Sequence, residues 1–274
     1  MKKPLLFIIM LCVAGTLTAG ERIGMQLYSF RTAMKESPIK TLEVISSLGI
    51  KEVETANYAD GRFYGMDPVE FKTICRNNGM QAVASHIKPF ASIDMAQALA
   101  WWETCLAAHK EAGIKYVVMA SLPIKNIKTI DRVKELCAFI NQVGEMCRKQ
   151  DLILGIHNHK QEFETVDGVV IYDYLVENTT KDVIFELDVY WAMMAGFDPV
   201  ELIKKYPSKI TLLHVKDEKE IGVSGLLDFS AIIAAAKATG HVAYYILEQE
   251  RYSGEVLPSV KQSLDYLRSN RLLE

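Results

Sequence analysis

Two histidines stand two residues apart at the end of an apolar run, Ile153-Leu-Gly-Ile-His157-Asn-His159. Three later apolar runs finish on groups of the same chemical kind. Val183-Ile-Phe-Glu-Leu-Asp188 ends in a carboxylate. Ile210-Thr-Leu-Leu-His214 ends in an imidazole, with Lys216 and Asp217 just beyond. Tyr244-Tyr-Ile-Leu-Glu248 ends in a carboxylate. A strand buried on both faces reads as a continuous apolar run, so each is a candidate strand of a parallel sheet carrying a metal-ligand side chain at its C-terminal end. One such ending could be an accident. A succession of them points to one site, built where parallel strands stop. Alternate residues of a strand share a face, so His157 and His159 point one way and Asn158 the other. A histidine of that pair, together with Asp188, His214 and Glu248, can surround one divalent ion. Mixed nitrogen and oxygen donors suit Mn, Fe, Co, Ni or Zn, and the carboxylates also admit Mg.

Other polar groups end earlier apolar stretches. Glu54 closes Lys51 to Thr55, and His86 follows Gln81 to Ser85. Lys216 lies two residues past His214, on the same face; beside a cation its pKa would be depressed, and it could serve as acid, base or electrostatic clamp. Glu162 and Glu164 follow the histidine pair, and Trp191, with Tyr28, Phe30 and Tyr190, could wall a sugar-sized pocket. The candidate acid–base and charge-stabilising groups are therefore Glu248, Lys216, His86 and Glu54. The candidate ligands are His157 (or His159), Asp188, His214 and Glu248, and the candidate substrate contacts are His159, Glu162 and Trp191. Singly, each has a plainer account: a hydrogen-bonded loop histidine, a turn-capping aspartate, half of an ion pair, an aromatic packed in the core.

Something must bring these strand ends together. Strand and helix alternate without a break. Strands are expected at Arg22 to Tyr28, Lys51 to Thr55, Gln81 to Ser85 and Tyr116 to Ala120, followed by the runs above. Helices are expected to open at Ser37-Pro38, Asp67-Pro68 and Asp94, with Pro at the first helical position where present, and to stop at Gly49, Gly79 and Gly113. Further helices are expected over Thr129 to Lys149, with Val133, Leu136, Ile140 and Val143 on one stripe, and over Val169 to Asn178, Asp198 to Tyr206, Asp228 to Thr239 and Val256 to Arg271. Strict alternation implies a parallel sheet with right-handed crossovers. Eight such units closing on themselves make an α/β fold, the (β/α)8 TIM barrel, whose sites lie at the C-terminal strand ends. An open doubly wound sheet would carry a Gly-rich turn after the first strand; Met25-Gln-Leu-Tyr-Ser-Phe is not one.

The chain has 274 residues, 50% hydrophobic and 24% charged, with a net charge of -3. That length suits one barrel domain. The slightly acidic balance, with no basic run, argues against nucleic acid or an anionic membrane as partner. Met1-Lys-Lys-Pro, the apolar Leu5 to Val13, and the small residues from Thr16 to Gly20 read as a cleavable signal peptide over residues 1–20, too short for a comfortable membrane span. Residues 21–274 are then the barrel, and the expected location is the periplasm. Of five cysteines, Cys12 leaves with the signal; Cys75, Cys105, Cys137 and Cys147 fall within predicted helices among apolar neighbours and are expected to be buried free thiols.

At these residues the sequence resembles the xylose isomerase-like barrel superfamily, in the sugar phosphate isomerase/epimerase branch. Gly49-Ile-Lys-Glu-Val-Glu54, Ile156-His-Asn-His159 with Glu162-Phe163, Leu187-Asp188, Leu213-His214-Val-Lys216-Asp217 and Leu247-Glu248 carry the likeness, which covers about residues 22 to 270. The resemblance implies one divalent ion (Mn, Co, Mg or Zn), a small sugar substrate, and metal-assisted enolisation of a keto sugar through an enediolate. In ketose epimerases of this superfamily the ion is held by Glu, Asp, His and Glu; Asp188, His214 and Glu248 match the last three, and His157 or His159 replaces the first. That replacement puts two-base epimerisation through the same pair of glutamates in question. The His-Asn-His motif is similar to the branch containing inosose dehydratases and enzymes of 3-keto sugars, so elimination by a lyase or dehydratase is the alternative. A carbohydrate-binding barrel without turnover is an alternative of another class. A DNA-repair phosphodiesterase would need more histidines and a basic groove. The oligomeric state stays open, a homo-oligomer included.

Overall fold

A computed structural model describes residues 23–88 and 95–273. The proposed signal peptide, Cys12, Arg22 and the helix-opening Asp94 lie outside the described residues. Eight strands close into one parallel barrel: β1 (Ile23–Gln26), β2 (Glu52–Thr55), β3 (Gln81–Ile87), β4 (Tyr116–Met119), β5 (Ile153–His157), β6 (Val183–Asp188), β7 (Ile210–Val215) and β8 (Tyr244–Leu247). Each pairs with its neighbours in sequence, and β1 pairs with β8 to complete the ring. Helices lie between successive strands. The α/β (β/α)8 expectation is therefore met.

Local chemistry sets the helix starts. Asp67 accepts a hydrogen bond from the Glu70 backbone N–H at 2.8 Å, and Asp228 from the Ala231 N–H at 3.0 Å, each satisfying an otherwise orphaned helix donor. Ser37 precedes the helix Pro38–Ser47 without making such a bond. Helix ends at Gly49 and Gly79 turn through positive φ, 84° and 67°, where a side chain would be strained. The first strand is shorter than expected. It stops at Gln26, and Leu27–Phe30 forms a 3-10 turn begun by the Gln26 side chain, which accepts from the Tyr28 N–H at 3.0 Å.

The two-residue period of the strands divides the interior from the outer core. Outward residues pack under the helices in one large cluster, which includes Val133, Ile140, Val143 and all four helical cysteines; the cysteines are free and buried. Inside the barrel, Ala84, Val118, Ile184, Leu212 and Ile246 form a separate apolar plug. Gly155 sits in that layer. A Cβ there would lie 2.9 Å from Val118 Cγ2 and 3.2 Å from Ile184 Cδ1. One step further along six of the strands the interior turns polar: Gln26, Glu54, His86, His157, Glu186 and His214 are all buried. A second step along β6 and β7 reaches Asp188 and Lys216 at the C-terminal rim, where Glu248 follows Ile246 by one step.

Candidate metal centre at the barrel mouth

The rim donors come from four strands or strand ends. Register places Asp188 beside His214, and Glu186 beside His157. His157, Asp188, His214 and Glu248 each offer one ligand atom, and these atoms all lie within 4.8 Å of one another. His157 Nε2 is 3.9 Å from Asp188 Oδ2, and His214 Nδ1 is 3.4 Å from Glu248 Oε2. Between the two expected candidates on β5, His157 is the histidine in this group. His159 stands further out, its ring centroid 5.0 Å from that of His157.

Asp188 uses one oxygen as a helix cap, Oδ1 accepting from the Trp191 N–H at 2.9 Å. Its backbone is fixed from β5 by Asn158, whose Oδ1 accepts from the Asp188 N–H at 3.0 Å and whose amide donates to the Asp188 carbonyl at 3.2 Å. The other oxygen, Oδ2, is buried without a hydrogen-bond partner, as is His214 Nδ1. An unpartnered buried polar atom costs about 1–3 kcal/mol. Asp188 Oδ2, His214 Nδ1, His157 Nε2 and a Glu248 oxygen converge on one space, and such a mixed nitrogen and oxygen set suits a divalent ion that displaces any proton held there.

Beneath the rim lies a layer that strand-end reading reaches only in part. Glu186 Oε2 is 2.5 Å from His86 Nε2, 3.2 Å from His157 Nδ1 and 3.3 Å from His214 Nε2. Glu54 Oε2 accepts from the Gln26 amide at 2.8 Å and lies 2.7 Å from His214 Nε2. Glu186 is the member of this cluster that the sequence reading missed. Its signal was present: a carboxylate inside Val183-Ile-Phe-Glu-Leu-Asp188, on the same face as Asp188, where a buried glutamate demands a partner.

The charges sort themselves by these contacts. Burial pushes Glu186 up, but the cationic character of His214 and His86 outweighs it and holds the carboxyl well below its ordinary range. Glu54, buried and facing the Glu186 charge, is pushed up to about 7. At the rim the same division recurs. Burial opposes charge on Glu248, yet Lys216 and His214 keep it ionised. Asp188 is raised by burial, against Lys216 and with the help of Glu248, to about 7. His157 is lowered well below 6.5 by burial, which keeps it a neutral imidazole.

Lys216 is 2% exposed, and its Nζ lies 2.8 Å from Glu248 Oε2, 2.9 Å from Glu250 Oε2 and 4.0 Å from Asp188 Oδ2. Burial would lower its pKa, but Glu248, Asp188 and Glu250 outweigh burial and raise it. With these carboxylates as its neighbours the lysine is a firmly held ammonium; the depressed pKa expected beside a cation concerns the ion-bound site.

The remaining candidates are placed as follows. Trp191 begins the wall of the mouth: Lys216 Nζ lies 5.5 Å from its ring centre, and the His159 ring 5.8 Å. Glu162 is fully buried, and its Oε2 accepts from the His159 N–H at 2.8 Å, so it holds the loop that carries His159. Its own carboxyl is raised by burial to about 7. Phe30 and Tyr190 are buried, and Tyr28 is exposed beside Arg31. His86 lies against Glu186, in the layer below the rim.

The sequence profile of the xylose isomerase-like TIM barrel family matches residues 42–270. A sugar phosphate isomerase/epimerase from Parabacteroides distasonis superposes with a TM-score of 0.86 at 28% identity, over 94% of this chain and 97% of that one. An inosose dehydratase from Clostridium tetani is 26% identical over 98 residues, 35% of this chain and 32% of that protein. Another, from Geobacillus kaustophilus, is 23% identical over 175 residues, 57% of this chain and 56% of that protein. The chain thus spans 32% and 56% of the two curated relatives it matches.

Proposed function

The chain belongs to the xylose isomerase-like TIM barrel family, and from that premise and the rim geometry we propose that it is a divalent-metal-dependent sugar isomerase/epimerase acting on a keto sugar through an enediolate. The observation that carries this reading is the buried set His157, Asp188, His214 and Glu248, with donor atoms within 4.8 Å of one another at the C-terminal strand ends. These residues would hold Mn, Co, Mg or Zn. The ion, when bound, polarises a ketone and its adjacent hydroxyl and so lowers the cost of removing the α-proton.

The chain's own groups divide the remaining work. Glu248 stays ionised beside Lys216, which suits it to take the α-proton. Lys216, at 2.8 Å from Glu248, holds a positive charge where oxyanion charge develops. Trp191 and His159 line the entrance, and the buried walls around Lys216 exclude water.

Elimination from a 3-keto glycoside or an inosose is the second reading. It is favoured by one observation: β5 presents a histidine at the rim, leaving Glu248 and Asp188 as the carboxylates of the ligand set, with Asp188 Oδ1 tied to the Trp191 N–H. The first 20 residues support export to the periplasm, which N-terminal sequencing of the mature protein tests.

The decisive experiment incubates purified protein with keto sugars and oxidised glycosides in heavy water, followed by NMR. Mn- or Co-dependent deuterium incorporation at the α-carbon, abolished by chelation and by D188N, is the expected result. Sugar binding that survives chelation with no exchange would instead make the chain a carbohydrate-binding barrel.

A further inference from the structure

Two overlapping donor sets share His157 and His214: the rim set, and a deeper one of His86, His157, Glu186 and His214. The same two rings cannot offer the same nitrogens to both. The distances assign each atom. His157 turns Nδ1 down toward Glu186 Oε2, at 3.2 Å, and Nε2 up toward Asp188 Oδ2, at 3.9 Å. His214 is mounted the other way. Its Nε2 faces down, 2.7 Å from Glu54 Oε2 and 3.3 Å from Glu186 Oε2, while Nδ1 faces Glu248 Oε2 at 3.4 Å.

An imidazole that ligates through one nitrogen carries its proton on the other, and the acceptor beneath that proton fixes both tautomer and ring orientation. We propose that Glu186 and Glu54 are positioning residues that fix His157 as its Nδ1–H tautomer and His214 as its Nε2–H tautomer, so that Nε2 of the first and Nδ1 of the second are the lone-pair donors at the rim. This rests on the metal reading of the rim given above. It assigns the ion to the rim set and makes the deeper set its support. One oxygen of each deeper carboxylate is already engaged by a donor. Glu186 Oε2 meets His86 Nε2, and Glu54 Oε2 accepts from the Gln26 amide, a group that would oppose a cation. The second oxygens, Glu54 Oε1 and Glu186 Oε1, are buried without partners, and only they could serve an inner ion.

The arrangement also explains why both glutamates lie one strand step below the rim. Glu186 pairs in register with His157 across β5 and β6, which puts its carboxylate under that ring. Glu54 reaches His214 from the far side of the barrel.

The test is a Mn2+ titration by calorimetry of wild type, E186Q, E54Q and D188N. It is paired with 15N–1H NMR of the histidine side chains in the Zn2+-loaded wild-type protein. Expected are one ion per chain in wild type, one ion held roughly 10- to 100-fold more weakly in E186Q and in E54Q, and loss of binding in D188N. The spectra should show opposite tautomers, Nδ1–H on His157 and Nε2–H on His214. E54Q serves where E186Q fails to fold. Unchanged affinity in both glutamine variants, or tautomers other than these, overturns the inference while leaving the metal reading standing. Two ions per chain, with one lost in E186Q, overturns it by making the deeper set a site of its own. A wild-type protein that binds no ion removes the metal reading and this inference together.

Discussion

Replacing Lys216 by methionine should cost the chelated protein much of its stability, and an added divalent ion should return most of it. The side chain is 2% exposed and supplies the nearest positive charge to Glu248. Methionine keeps the stem and removes the ammonium, leaving Glu248 ionised and buried with only His214 beside it. Breaking a buried pair by deleting one partner costs about 3–5 kcal/mol. The lower end applies here. Glu250, the second partner, is 31% exposed on its side chain and can be solvated, and Asp188, already raised to about 7, relieves part of the repulsion by taking up a proton. For a domain of this size each kcal/mol moves Tm by about 2–4 °C, so 3 kcal/mol predicts a loss of about 6–12 °C in chelator. A dication held by Asp188 and Glu248 replaces the missing charge, so the gap between K216M and wild type should shrink by at least half in saturating Mn2+. Scanning calorimetry with chelator and with Mn2+ reads both quantities. A K216M protein that melts within a degree of wild type in chelator would refute the charge-balance argument. A gap that Mn2+ leaves untouched would refute the claim that lysine and ion answer the same carboxylates.

The pH dependence follows from the groups whose pKa is raised. Asp188 and Glu54 are pushed to about 7, first by burial and then by a neighbouring carboxylate. Their contribution to stability is therefore complete below the ordinary carboxylate range and is lost as pH rises through 7. An ion needs Asp188 deprotonated, so the difference in Tm between Mn2+-loaded and chelated protein should widen from pH 6 to pH 8; a flat difference would contradict the assignment. Gly155 tests the barrel plug: G155A forces a Cβ to 2.9 Å from Val118 Cγ2, overpacking that should cost about 1–3 kcal/mol in urea unfolding, and an unchanged midpoint would mean that β4 and β5 give way freely.

Much of this fold is legible because strand and helix periods differ. All eight barrel strands fall within or beside the apolar runs that announce them, and helix starts such as Asp67-Pro68 and Asp198-Pro199 are chemically marked. What escaped was short or dictated by tertiary contact. The hairpins Tyr58–Ala59 with Arg62–Phe63, and Thr165–Val166 with Val169–Val170, have two-residue strands, too brief to show a period. The helix Val189–Met194 starts on Asp188 itself, because one carboxylate both caps a helix and faces the mouth. The site was legible at its rim for a geometric reason: strand ends are where apolar runs break, and a break is visible. Glu186 interrupts a run without ending it. Its role depends on the rings above it, which belong to β5 and β7, and no local pattern records that pairing.

The replacement at the end of β5 bears directly on which reaction the rim can run. Inverting a carbon needs proton loss on one face and proton gain on the other. Glu248 lies at the end of β8, and β5 stands three strands away around the eight-strand ring, so an opposing group must come from that side. His157 is committed at Nδ1 to Glu186 and, in the metal reading, at Nε2 to the ion. His159 is the imidazole there outside the ligand set. Its Nδ1 is buried without a partner, burial lowers its pKa, and Glu162 fixes its backbone. In the epimerase reading, two-face proton exchange would pair Glu248 with His159. Elimination makes no such demand, since Glu248 as base and Lys216 as the neighbouring charge lie together on the β7–β8 side. Under the proposed function, His159, a residue outside the ligand set, is where the epimerase and lyase readings part.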